Sequence, residues 1–124
     1  MCIRDRIDCI ESDSPNYSHS ENLHVFIDDI MKKNKLNFNQ LDACSISRGP
    51  GSYTGLRIGL SAAKGLCFGL DIPLISISSL KIIANSVNYN GLISATMDAR
   101  RDEVYSCVFD SKLNVICQEK PWYS

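Results

Sequence analysis

The amino-acid sequence predicts an α/β fold in which a strand, helix, strand, helix unit leads into the start of a second, antiparallel sheet. Three features carry that expectation. Helix-period segments alternate with short apolar runs as far as Val87. A glycine-rich stretch joins one of those runs directly to a helix. From Leu92 onward the pattern changes to consecutive strand-like runs with short connections, as a separate antiparallel unit requires.

Taken in order, Met1 to Arg6 carries three charges and fits no period. Ile7 to Glu11 reads as a short strand, and Ser12 to Ser18 as a loop dense in Asp, Ser, Pro and Asn. Ser18 and Glu21 form an S-x-x-E capping box, which satisfies two otherwise free N–H groups at a helix start. The helix that follows, about Ser20 to Lys33, places Leu23, Phe26, Ile27 and Ile30 on one stripe. Lys32 and Lys33 sit where cations oppose the helix dipole. Asn37 to Leu41 reads as a capped turn before a buried strand, Ala43 to Ser47. A helix from about Leu56 to Gly69 comes next, with Gly69 as its stop, then a strand from Leu74 to Ser78 after Pro73. Ser79 is placed to cap a further helix reaching Val87. Leu92 to Met97, Val104 to Phe109 and Val115 to Gln118 read as three strands.

Composition narrows the function classes. A chain of 124 residues holds one modest core, and 44% hydrophobic with 22% charged residues is the balance of an ordinary globular protein. A net charge of -1 leaves no basic excess for a nucleic-acid surface, so contact with RNA would be local or made through a partner. Cys2, Cys9, Cys44, Cys67, Cys107 and Cys117 are scattered without a C-x-x-C pair or a histidine at ligand spacing. Reduced thiols in a cytosolic protein are therefore expected. No secretory apolar run opens the chain and no stretch approaches a membrane span, so the sequence predicts a soluble, cytoplasmic protein with no membrane contact.

The glycine-rich stretch runs Arg48-Gly-Pro-Gly-Ser-Tyr-Thr-Gly55. Gly49 and Gly51 can take positive φ and present backbone N–H groups beside a helix N-terminus, where anions bind. The spacing misses both the dinucleotide fingerprint and the P-loop. Two readings stay open: a tight turn that redirects the chain, or a phosphate or partner contact made by Arg48, Gly49, Gly51, Ser52, Thr54, Gly55 and Arg57. Behind the turn, Gly55, Gly59, Ala63 and Cys67 recur every four residues and share one helix face. Glycine inside a helix costs about 1 kcal/mol relative to alanine, so Gly59 and Gly65 imply close packing. The neighbour is either the same domain or another subunit.

Arg48-Gly-Pro-Gly-Ser-Tyr-Thr-Gly-Leu-Arg-Ile-Gly59, followed by Ala62-Ala63-Lys64-Gly65-Leu66, resembles the signature of the TsaB (YeaZ) family, which shares the ribonuclease H-like (actin-like ATPase) fold. His19 to Leu23 resembles the start of that family's first helix. Ile72-Pro73-Leu74 through Ser78-Ser79-Leu80 resembles its strand-to-helix passage, and Asp98 to Tyr105 its second-lobe hairpin. The resemblance implies an incomplete first lobe over 7–88 and the start of a second similar lobe over 91–124. Residues 1–6 match no family start. The family's opening Asp-Thr-Ser-type strand and its neighbour are absent, so the chain is expected to be a fragment truncated at both ends.

The resemblance further implies an accessory role in threonylcarbamoyladenosine synthesis on transfer RNA. The catalytic relative, TsaD, carries an H-x-x-x-H metal pair on the helix after the Ile-Pro-Leu strand. Here Ser79 and Ile83 stand at those places, so no metal site and no catalytic residue is expected. His19 and His24 are five apart, roughly 140° apart around a helix, which is wrong for joint chelation. Ser52 lies in no G-x-S-x-G elbow and no histidine follows it. Asp98, Arg100, Arg101 and Glu103 read as turn charges, with an RNA or partner contact as the other reading. The implied partner is a TsaD-like catalytic subunit, with a TsaE-like ATPase, a homodimer and indirect contact with tRNA as further implications. The docking surface would fall on the first two long helices, at Leu23, Phe26, Ile27, Ile30, Gly55, Gly59, Ala63 and Cys67. The alternative is a nucleotide-binding ATPase or phosphotransferase with ATP at the glycine-rich turn; the accessory reading implies no cofactor.

Overall fold

In the computed structural model the described residues are 19–122, with side chains described over 22–117. The expected Ile7–Glu11 strand and the loop after it lie outside them, as do Ser18 and the Glu21 side chain of the expected capping box. Three α-helices, one 3-10 turn and five strands follow in order: α1 His19–Lys33, the 3-10 turn Phe38–Gln40, β1 Cys44–Ser47, α2 Tyr53–Leu70, β2 Leu74–Ile77, α3 Ser79–Asn85, β3 Ile93–Arg100, β4 Glu103–Phe109 and β5 Val115–Trp122.

β1 and β2 pair in parallel from Cys44 opposite Leu74 to Ser47 opposite Ile77, and α2 crosses between them as parallel pairing requires. α2 lies against both strands, and α1 lies against α2. β3, β4 and β5 form an antiparallel meander in that order. One face of the meander is covered by α3: Leu80, Ala84, Ala95, Cys107 and Phe109 are all at most 2% exposed and form one cluster. That core crosses the expected 88/91 division, because the helix supplying Leu80 and Ala84 comes from the first stretch and the strands from the second.

Several element ends differ from the sequence expectation for identifiable reasons. α2 begins at Tyr53, three residues early, because the Ser52 hydroxyl accepts the Gly55 N–H at 3.3 Å and caps the helix inside the glycine-rich stretch. It ends beyond Gly69: Asp71 takes the left-handed conformation at φ 54 and its N–H donates to the Cys67 carbonyl. Aspartate tolerates that geometry better than most residues. Ser79 is the first residue of α3 rather than its cap, which is Ser78. The Ser79 hydroxyl instead bonds that of Ser47 at 2.5 Å, tying α3 to the end of β1. On α1 the stripe Leu23, Phe26, Ile27 and Ile30 is half-buried, and Met31, outside the predicted stripe, is buried at 7% exposure. The capped turn at Asn37 is present, with Asn37 N–H donating to Gln40 Oε1 at 2.7 Å.

Candidate functional site

The glycine-rich turn is built by three constraints. Arg48 continues the β1 ladder by donating its N–H to the Ile77 carbonyl at 2.9 Å. Gly49 then turns at φ +100, a region closed to side chains, and a Cβ there would stand 3.1 Å from Leu56 Cδ1. The Gly49–Pro50 peptide is cis, and the Gly49 carbonyl accepts the Ser79 N–H at 2.9 Å. The turn thus fastens β1, α2 and α3 together. Gly51 does not share the expected positive φ; glycine is dictated at position 49.

Five of the seven glycine-turn residues face three different places. Gly51, Ser52 and Thr54, with Tyr53, line a cleft of about 550 Å³ whose far wall is Met97 to Arg100 and Tyr105 of the second sheet. Arg48 opens onto another cavity, about 350 Å³, with Ser76, Ser78, Lys81 and Phe109. Arg57 lies along α2, 5.3 Å over the Tyr53 ring, and donates to the Tyr53 hydroxyl at 3.2 Å. Asp98, Arg100 and Tyr105, read from sequence as turn and strand residues, are brought opposite the glycine-rich turn. No spacing in the chain announced that meeting, since it depends on how the two sheets sit on α3. The hairpin tip beside the cleft holds Arg100, Arg101 and Asp102 at φ 65, 56 and 60, with Asp98 Oδ1 accepting the Arg100 N–H at 2.8 Å.

The small-residue row on α2 requires a correction. Ala63 and Cys67 are buried within the chain at 4% and 8% exposure, on the helix that lies against β1 and β2. Cys67 Sγ donates to the Pro73 carbonyl at 3.7 Å. That half of the row packs in the same domain, and a bulky group at Ala63 would overfill the core. Gly55 is exposed and Gly59 half-exposed. The close packing expected at Gly59 and Gly65 is not supplied by the described residues: among them, a Cβ added at Gly59, Gly65 or Gly69 meets nothing within 4 Å.

A second row, missed in the sequence, is the one left open. Ser61, Gly65 and Gly69 are exposed, four residues apart, and line a groove of about 830 Å³ between α1 and α2. Ile58, Ala62, Leu66 and Leu70 flank them on α2; Leu23 and His24 come from α1, and Phe38 closes one end. The signal was available, since Gly65 and Gly69 obey the same four-residue spacing, but the Gly55 row obscured it and Gly69 was read as a stop. Of the predicted α1 interface residues, Leu23 lines this groove; Phe26, Ile27 and Ile30 do not.

At the metal positions implied by resemblance, the Ser79 hydroxyl is engaged with Ser47, and Ile83, 39% exposed, offers only hydrocarbon. Among the described residues no three His, Cys, Asp or Glu side chains gather closely enough to hold a metal ion. No helix among them is long and apolar enough to cross a membrane.

Comparison with known proteins agrees with this architecture. The family model described as "TsaD: tRNA N6-adenosine threonylcarbamoyltransferase" matches residues 15–120. The tRNA threonylcarbamoyladenosine biosynthesis protein TsaB of Haemophilus influenzae is 41% identical over 91 residues, covering 71% of this chain and 39% of that protein. The Bacillus subtilis TsaB is 46% identical over 77 residues, covering 61% and 34%. A tRNA N6-adenosine threonylcarbamoyltransferase of Clostridioides difficile is 32% identical over 76 residues, covering 60% and 22%. The solved structure of YeaZ from Pseudomonas aeruginosa superposes with a TM-score of 0.74 at 28% identity, over 83% of this chain and 51% of that one. The matched stretch spans 39% and 34% of those two TsaB proteins and 51% of the YeaZ structure, so this chain corresponds to about half the length of its relatives or less. With the ribonuclease H-like α/β architecture, the strand–glycine turn–helix at its centre and these likenesses together, the chain belongs to the TsaB (YeaZ) family.

Proposed function

We propose that this chain carries the docking part of a non-catalytic accessory subunit in tRNA threonylcarbamoyladenosine biosynthesis, and that it supports a TsaD-like transferase by presenting the α1–α2 groove to it. The observation that carries this reading is the open face of α2. Gly65 and Gly69 weaken the helix by about 1 kcal/mol each relative to alanine, and neither allows any closer contact among the described residues. Such a cost is offset when a neighbouring backbone comes close, and the flanking Leu23, Ile58, Leu66 and Leu70 supply apolar surface for burial. Each large side chain fully buried there would contribute about 1.5–3 kcal/mol. A TsaE-like ATPase, or a second copy of the chain on the same face, would be a further partner, with tRNA reached only through the assembly.

The nucleotide-binding alternative is less well supported. It rests on Gly49, Gly51 and Thr54 cradling phosphate, and the cleft that holds Gly51 and Thr54 is lined by neither Arg48 nor Arg57, which face other cavities. The Gly55 N–H, one of the helix-start donors it would use, is already capped by Ser52.

Size-exclusion chromatography of the full-length protein with its TsaD-like partner tests the proposal. Gly65→Leu is expected to abolish the complex peak while the isolated variant keeps its circular dichroism spectrum. An undiminished complex would remove the basis for placing the partner in this groove.

A further inference from the structure

We infer that Cys44 and Cys67 form an oxidisable thiol pair, a disulfide site that fastens the C-terminal half of α2 to β1. The alternation of β1 leaves Ser45 exposed while Cys44 and Ile46 are more buried. These two share one face of the strand, and α2 lies against β1. Cys67 sits near the end of α2 at 8% exposure. Both cysteines converge on one carbonyl: the Cys44 N–H donates to Pro73 O at 3.0 Å, and Cys67 Sγ donates to the same oxygen at 3.7 Å. Burial first, and then the Cys67 thiol, hold the Cys44 thiol above its ordinary value. The remaining described pair is arranged differently. Cys117 stands opposite Val108, so its side chain shares a face with Val108 and not with the neighbouring Cys107.

The chemistry balances with a low-molecular-weight disulfide as oxidant. Cys44, the less buried of the two sulfurs, attacks the oxidant as thiolate, forming a mixed disulfide and releasing one small thiol. Cys67 then attacks the Cys44 sulfur, forming the protein disulfide and releasing the second small thiol. Two protein thiols are oxidised and one small disulfide is reduced to two thiols. The pair serves as a structural clasp between β1 and α2. The bond would restrict the unfolded chain across the Cys44–Cys67 loop and hold the helix turn that bears Leu66, Gly69 and Leu70.

Peptide mapping by mass spectrometry after incubation of the full-length protein with glutathione disulfide tests this. The expected product is a Cys44–Cys67 linked peptide pair, two hydrogens lighter than the thiol form. It should be reversed by reductant and absent from Cys44→Ser and Cys67→Ser. The oxidised wild type should unfold at a higher temperature than the reduced one, a difference that Cys44→Ser removes. The inference is overturned if Cys44 stops at its mixed disulfide with glutathione. It is equally overturned if cross-links join other cysteines instead, or if both thiols remain free once exposed Cys117 is fully oxidised.

Discussion

Replacing Gly65 with alanine should strengthen the isolated protein and weaken the proposed complex with a TsaD-like transferase, and the opposed signs make the change informative. Gly65 lies inside an 18-residue helix, is exposed, and an added Cβ meets no atom of the described residues within 4 Å. Its φ is not in the positive range, so alanine carries no conformational penalty there. The full helix-propensity gain of about 1 kcal/mol should then appear. For a unit of 124 residues the unfolding entropy is about 0.26 kcal/mol/K, so the midpoint should rise by about 4 °C, and by less in a longer protein. Calorimetry or far-ultraviolet circular dichroism on the isolated protein reads the gain, and titration with the TsaD-like partner reads the loss. A lowered melting temperature for Gly65→Ala would refute the reasoning, because it would mean that the isolated chain already packs something against that position.

Three further outcomes are expected. Gly49→Ala should cost about 1–3 kcal/mol in denaturant unfolding, since φ +100 excludes a side chain and Leu56 Cδ1 stands 3.1 Å from the added carbon; an unchanged midpoint would count against the turn geometry. Leu80→Ala should cost about 2–5 kcal/mol, because Leu80 is fully buried between α3 and the second sheet; a smaller loss by the same measurement would show that this core is not shared. The Asp110 carboxyl is held below the usual carboxylate range, first by the Asn114 side-chain amide and then by the Asn114 N–H. Its folded value is depressed, so its contribution is complete above the unfolded carboxylate value and is lost as pH falls through the folded one. An NMR titration should show Asp110 moving toward its ordinary value in Asn114→Ala, and no movement would contradict the assignment.

The element order was legible because it depends on local chemistry. Apolar periodicity marked α1 and the strands, Asn37 and Gln40 marked the capped 3-10 turn, and the run of strands from Leu92 marked the meander. The ends of α2 were less legible. Ser52 caps the helix from within a stretch that reads as loop, and Asp71 rather than Gly69 takes the left-handed position. Glycine's permissiveness makes it a weak stop signal when the helix has reason to continue. The Arg48 turn was recognised as a unit but not as three diverging surfaces, since side-chain directions around a turn follow from φ and ψ rather than from residue order.

By itself the sequence determined the α/β class, the family resemblance and the demand for glycine in the bend after β1, because each is written in contiguous residues. Only the tertiary structure decided which small residues on α2 are internal and which are open. Ala63 and Cys67 go to the sheet, while Ser61, Gly65 and Gly69 border the groove. Both rows have the same four-residue period, and a period fixes a face without fixing what that face meets. The same limit hid the meeting of Asp98, Arg100 and Tyr105 with the glycine-rich turn and the convergence of Cys44 and Cys67 on Pro73. Contacts between distant segments arise from the docking of whole elements, a choice made by the burial of the shared core.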